Sequence, residues 1–199
     1  ELVSEFSFEK MQKAGGAFNE EKLDWMNREY LKMMSHEEQE EYISKFLPDS
    51  IKGSSNFSTS ILHNMTPIVM EHISKGKDVT DMAEAGELSY FFDKPVYEKD
   101  SLFFKSSKIP VDGKYTTLAS YLGKLVSIIE SMYKVDFNKD KIKEVVWPYA
   151  EEVGRGDILW PMRFSLSGRE KSPDPFTLAE VLGKEETLAR LSAAIEILK

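Results

Sequence analysis

Ile158-Leu159-Trp160-Pro161-Met162-Arg163-Phe164-Ser165-Leu166-Ser167-Gly168 is the stretch on which the fold class turns. Ile158, Trp160, Met162, Phe164 and Leu166 alternate along it as in a half-buried strand, yet a helix accommodates the same run. Its residues alone leave both readings open. Every other periodic segment of the chain reads as helix.

On the C-terminal side, Leu188, Leu191, Ile195 and Leu198 mark an amphipathic helix. On the N-terminal side, Ile142, Val145, Val146 and Tyr149 mark one, and Leu118, Leu122, Leu125, Ile129 and Met132 mark a longer one, with Thr116 or Thr117 as its cap. Residues 93–112 contain Pro95, Pro110 and a run of Ser and Lys, which predicts a linker between subdomains. Before it come the aromatic anchor Tyr90-Phe91-Phe92, a short helix over 78–85 broken by Gly86, and a helix over 60–73 with Pro67 inside. Residues 49–60 read as a loop. Ser35 and Glu38 form a capping box ahead of Tyr42, Ile43, Phe46 and Leu47, and Pro48 stops that helix. Asn19 caps a first helix whose stripe is Leu23, Met26, Tyr30 and Met33.

The chain has 199 residues, 41% apolar and 30% charged, ordinary for a soluble globular protein. It has no cysteine, which excludes disulfides, thiolate metal sites and cysteine nucleophiles. No apolar run approaches the length of a membrane span. The start, Glu1-Leu2-Val3-Ser4-Glu5, is acidic, unlike a signal peptide, and lacks Met, so a piece of a longer chain is expected. The net charge of −8 argues against a generic nucleic-acid binder. Most of the acidic excess lies in residues 1–50, however, and the remainder is nearly neutral.

Catalytic signals are sparse. His36, His63 and His72 fit no metal-ligand spacing, so no metal site is expected. There is no GxSxG, no Walker A loop and no GxGxxG. Acidic pairs such as Glu20-Glu21 and Glu151-Glu152 read as solvated helix faces.

Longer motifs carry a resemblance. Phe18-Asn19-Glu20-Glu21-Lys22-Leu23-Asp24-Trp25-Met26-Asn27 followed by Tyr30-Leu31 resembles the FDxxKLxWxNxxYL motif of bacterial glutamate–tRNA ligases. Glu71-His72-Ile73 and Tyr90-Phe91-Phe92 resemble the middle of that family's first anticodon-binding subdomain. Leu159-Trp160-Pro161-Met162-Arg163, Leu166-Ser167-Gly168, Ser172-Pro173 and Leu182-Gly183-Lys184-Glu185-Glu186-Thr187-Leu188 resemble its C-terminal signature. Lys10-Met11-Gln12-Lys13-Ala14 looks like the KMSKS loop of class I synthetases only superficially, since no Rossmann half precedes it.

The resemblance implies an all-α anticodon-binding module. Residues 1–50 would be stem-contact helices, 51–110 a first anticodon-binding subdomain with its linker, and 111–199 a second. It implies tRNA-binding roles for Arg163, Ser172, Pro173, Pro175, Phe176, His72, Asn27 and Tyr30, and no catalytic residue. Phe176 would offer a stacking ring. His72 departs from the arginine that many family members carry there, which leaves open whether tRNA(Gln) joins tRNA(Glu) as a partner. ATP and magnesium would act in a catalytic domain of the same polypeptide, and no cofactor is expected here. A cytoplasmic monomer with no membrane contact is expected, inactive in aminoacylation by itself. Two alternatives stay open: the related domain of a class I lysine–tRNA ligase, and an all-α interaction module without an RNA role.

Overall fold

The computed structural model describes residues 19–54 and 57–199. The lysine-containing run 10–14 and Phe18 lie outside the described residues. Among the described residues the elements are α1 (Glu20–Met33), α2 (His36–Phe46), α3 (Asp49–Lys52), α4 (Thr59–His72), α5 (Gly76–Glu84), α6 (Ser89–Phe92), a 3-10 turn (Lys99–Leu102), α7 (Lys114–Glu130), a second 3-10 turn (Lys134–Asp136), α8 (Lys139–Val153), α9 (Arg155–Ser167) and α10 (Pro175–Leu198). No strand occurs among them, so the fold is all-α.

The ambiguous stretch is therefore helix. Its strand-like alternation has a packing cause. Ile158, Pro161, Met162, Phe164, Ser165, Leu166 and Ser167 are all buried, so α9 is enclosed on most of its circumference. A helix buried nearly all round leaves no one-sided stripe to read. α10 packs along both α7 and α9, and α8 closes the group. Leu118, Leu122, Leu125 and Ile129 form the buried stripe of α7 as expected. In α8, Ile142, Val146 and Tyr149 are buried, whereas Val145 is exposed. α10 bends at Gly183, whose φ of 78° suits glycine.

Local signals account for most helix ends. Asn19 accepts from the Lys22 N–H at 3.0 Å. Ser35 and Glu38 make the full capping box. Two expectations need correction. Residues 49–60 are not all loop, because Asp49–Lys52 makes one helical turn. The cap of α7 is Gly113, left-handed at φ 72°, and not Thr116 or Thr117.

The chain between α6 and α7 is laid against α9. Leu102 is fully buried, Tyr97 meets Phe164 edge-on at 5.5 Å, and the Trp160 indole donates to the Ser101 carbonyl at 3.0 Å. Arg190 ties three elements together. It is 4% exposed, and its guanidinium donates to the carbonyls of Tyr90 (2.7 Å) and Leu166 (2.6 Å) and pairs with Glu186 (2.7 Å). At the other end α2 packs on α4 and α5, and α1 buries only Leu31. The α1 stripe predicted from spacing is exposed, with Tyr30 at 66% and Met33 at 80%.

Candidate functional site

Residues of α4 and residues some hundred positions later in the chain converge on one cleft of about 1190 Å³. The C-terminal turns of α4 supply Pro67, Ile68, Glu71 and His72. α9 supplies Arg163. The turn 169–174 and the start of α10 supply the opposite wall, including Ser172 and Pro173.

The 169–174 turn is held by its own sequence. Gly168 ends α9 in the left-handed region at φ 66°, and a Cβ there would come within 2.8 Å of Pro95. The Ser167 hydroxyl lies 2.9 Å from the Arg163 carbonyl, 3.1 Å from the Ser172 hydroxyl and 3.3 Å from the Arg169 N–H, which donates to it. Asp174 then caps α10 by accepting from the Phe176 and Thr177 N–H groups at 3.0 and 3.1 Å. Ser172 and Pro173 are thus fixed between two helix ends.

Arg163 is positioned from two sides. Its guanidinium lies over the Trp160 ring, 4.9 Å from the centroid, and donates to the Glu170 carbonyl at 2.9 Å. That bond uses one of the five donors a guanidinium carries. His72 ends α4 and is exposed. Tyr90 lines the same cleft. Burial pushes its phenol up to about 12, against the pull of the Arg169 guanidinium, so it stays a neutral donor near neutral pH.

The charge of the lining is mixed. Lys139, Arg163, Arg169 and Lys171 stand among Glu71, Glu87, Glu170, Asp174 and Glu180. Some of those acids are engaged locally: Asp174 caps α10, Glu180 accepts from the Lys139 N–H at 3.2 Å, and Glu170 lies 3.5 Å from Lys105. The cleft can offer forked and hydroxyl donors and an apolar wall, which is the chemistry for gripping a planar base edge.

Of the residues singled out from the sequence, Arg163, His72, Ser172 and Pro173 are brought together here. Asn27 and Tyr30 are not. They line a smaller cleft of about 400 Å³ with Leu31, Met34, Tyr42, Ser74 and Lys75. The stacking ring expected at Phe176 is corrected: Phe176 is 7% exposed and packs toward Trp147 at 6.4 Å, because it lies in the buried first turn of α10. Pro175 is buried at the first position of the same helix. Arg169, Lys171 and Tyr90 were not assigned to the site from sequence. The Gly168 turn signal could have drawn in the first two, while only the tertiary fold brings Tyr90 alongside.

Residues 18–195 match the family described as anticodon binding domain. A glutamate–tRNA ligase of Clostridium botulinum is 31% identical over 204 residues, covering 100% of this chain and 39% of that protein. One from Flavobacterium johnsoniae is 32% identical over 205 residues, covering 100% and 36%. A solved glutamate tRNA ligase from Elizabethkingia meningosepticum, in complex with its amino acid, superposes with a TM-score of 0.70 at 30% identity, covering 100% of this chain and 36% of that one. The chain therefore spans well under half the length of the relatives it matches.

Proposed function

The chain belongs to the anticodon binding domain family, in the form carried by glutamate–tRNA ligases, and on that premise we propose that it reads the anticodon loop of tRNA(Glu). The attachment of glutamate, with ATP and magnesium, falls to the portion of such a ligase that this chain does not span. The chain holds neither ATP nor magnesium in this reading and performs no activation by itself. It acts as a cytoplasmic monomer beside the catalytic domain of the same polypeptide.

The observation that carries the reading is the convergence of Arg163, His72, Ser172 and Pro173 on one cleft from segments up to a hundred residues apart. An anticodon is a single-stranded loop whose bases can be splayed out and read on their edges. Arg163 supplies a fork already oriented by Trp160 and Glu170. His72 faces the same space, and its identity bears on whether tRNA(Gln) is accepted too. Asn27 and Tyr30, on α1 in residues 1–50, would meet the tRNA stem instead. The division into 1–50, 51–110 and 111–199 assigns stem contact to the first part and anticodon reading to the other two.

The test is binding of an anticodon stem-loop RNA to the chain across a salt series. Affinity should fall steeply as salt rises, because phosphate contacts release counterions. It should also fall when the anticodon is changed. Binding that ignores both salt and anticodon would overturn the reading.

A further inference from the structure

We propose that His36, Glu40 and His63 bind a divalent transition-metal ion of the zinc class, which clamps α2 to α4. The site is independent of the cleft described above, since none of the three lines it.

His36 opens α2 directly after the Ser35 cap, and Glu40 follows one turn later on the same face. His63 comes from α4, which packs on α2. The ring centroids of the two histidines are 4.3 Å apart at an interplanar angle of 76°. His36 Nε2 is 3.2 Å from His63 Nδ1 and 2.9 Å from Glu40 Oε1, and His63 Nδ1 is 2.5 Å from the same oxygen. One ligand atom from each residue thus lies within 3.2 Å of the other two.

The spacing suits one ion. Two imidazole nitrogens bound to zinc at roughly 2.0–2.1 Å with a tetrahedral angle lie about 3.3 Å apart, close to the 3.2 Å found. The Nδ1–Oε1 pair has to open by less than about 1 Å to admit the ion. Side-chain exposures of 32% for His36, 22% for Glu40 and 59% for His63 give it a way in. Three protein ligands leave a fourth position for water. Without an ion, ring N–H groups of the two imidazoles can donate to the Glu40 carboxylate. A metal ion takes the place of those hydrogen bonds and accepts a lone pair from each of the three atoms. Paired imidazoles favour zinc-class ions over magnesium or calcium, which prefer oxygen.

The chain's composition makes the test clean. There is no cysteine, and the only other histidine is His72. Metal-stripped full-length chain is titrated with zinc chloride near neutral pH, with calorimetry and thermal melting as readouts. One-to-one binding is expected, with a rise in melting temperature of about 5 °C or more at saturating zinc and none with magnesium. His63→Ala, at an exposed position, should melt normally in chelator yet lose more than the roughly 100-fold that outer-shell changes cost. His36→Ala should do the same and His72→Ala should not. Absence of one-to-one zinc binding, or binding that survives His63→Ala, would overturn the proposal.

Discussion

Arg163 lays its guanidinium over the indole of Trp160, 4.9 Å from the ring centroid and one turn along the same helix, while Trp160 itself is tied to the Ser101 carbonyl at 3.0 Å. The segment preceding α7 thereby fixes the Trp, the Trp fixes the Arg, and the Arg faces the cleft. Preorganisation of this kind lowers the entropy lost when a ligand is gripped.

Arg163→Ala should therefore weaken anticodon stem-loop binding by roughly 5- to 150-fold, taking about 1–3 kcal/mol for a base-edge fork by analogy with DNA readout. Arg163→Lys should restore little, since it loses the planar fork and its stacking. Measured against cognate and anticodon-changed RNA, a base-reading role narrows the gap between them. A phosphate-only role weakens both alike and lowers the salt slope by about one. Unchanged affinity for both RNAs, in a variant that melts normally, would remove Arg163 from the site.

Arg190 has the opposite character, a buried charge with a structural job. Arg190→Met should destabilise the chain by about 3 kcal/mol, since two buried carbonyls lose their donor. Arg190→Lys should recover only part, because one ammonium cannot span Tyr90, Leu166 and Glu186 together. Denaturant melts report the loss. A change below about 0.5 kcal/mol, ordinary for a surface position, would contradict it.

Two helical glycines should respond in opposite directions. A Cβ on Gly76 would sit 2.3 Å from the Phe46 ring, so Gly76→Ala should cost about 1–3 kcal/mol through overpacking between α5 and α2. Gly123, inside α7, has nothing within 4 Å of an added Cβ, so Gly123→Ala should stabilise by about 0.5–1 kcal/mol. Paired thermal melts check both signs.

Asp78 links stability to pH. Burial raises its carboxyl, but hydrogen bonds from the Ser74 N–H (2.7 Å), the Ser74 hydroxyl (2.9 Å) and the Lys75 N–H (3.1 Å) outweigh it and hold it below the usual carboxylate range. A depressed folded value means the stabilisation is present above the ordinary Asp range and is lost as pH falls through the folded value. Asp78→Ala should thus cost about 1 kcal/mol at neutral pH. The gap to the parent chain should close on acidification. A gap constant with pH would show that the carboxylate charge is irrelevant.

Much of this was legible in the residues. Capping at Asn19 and Ser35 and the α7 stripe depend on neighbours within a few positions, so local spacing reports them. The stretch 158–166 was not decidable that way, because enclosure of α9 erases its period. Phe176, given a stacking role by the resemblance, is buried because the Asp174 cap starts α10 there and turns the ring inward. Arg190 reads as one more charge on an amphipathic helix, and only contacts to Tyr90 and Leu166, far away in the chain, reveal its burial. The cluster of His36 and Glu40 had a local trace in its four-residue spacing, but His63 joins only through the packing of α4 on α2.

His72 offers the sharpest test of specificity. It is the last residue of α4, exposed, and on the cleft lined also by Arg163. A neutral imidazole donates one hydrogen bond, whereas a guanidinium donates several in a fixed fork. His72→Arg should fold as well as the parent, since a cation at a helix C-terminus interacts favourably with the helix dipole. Nothing in its exposed position opposes the longer side chain. The substitution adds a second fork to the cleft that Arg163 also lines. Binding of glutamate-type and glutamine-type anticodon stem-loops should then separate, with the ratio of their affinities changing by about 10-fold or more, as for one good bidentate pair. Phosphate contact alone would strengthen both RNAs equally and leave the ratio fixed. A fixed ratio, with melting and both affinities at parent values, would place His72 outside the reading surface and leave discrimination to Arg163 and the Ser172-Pro173 wall.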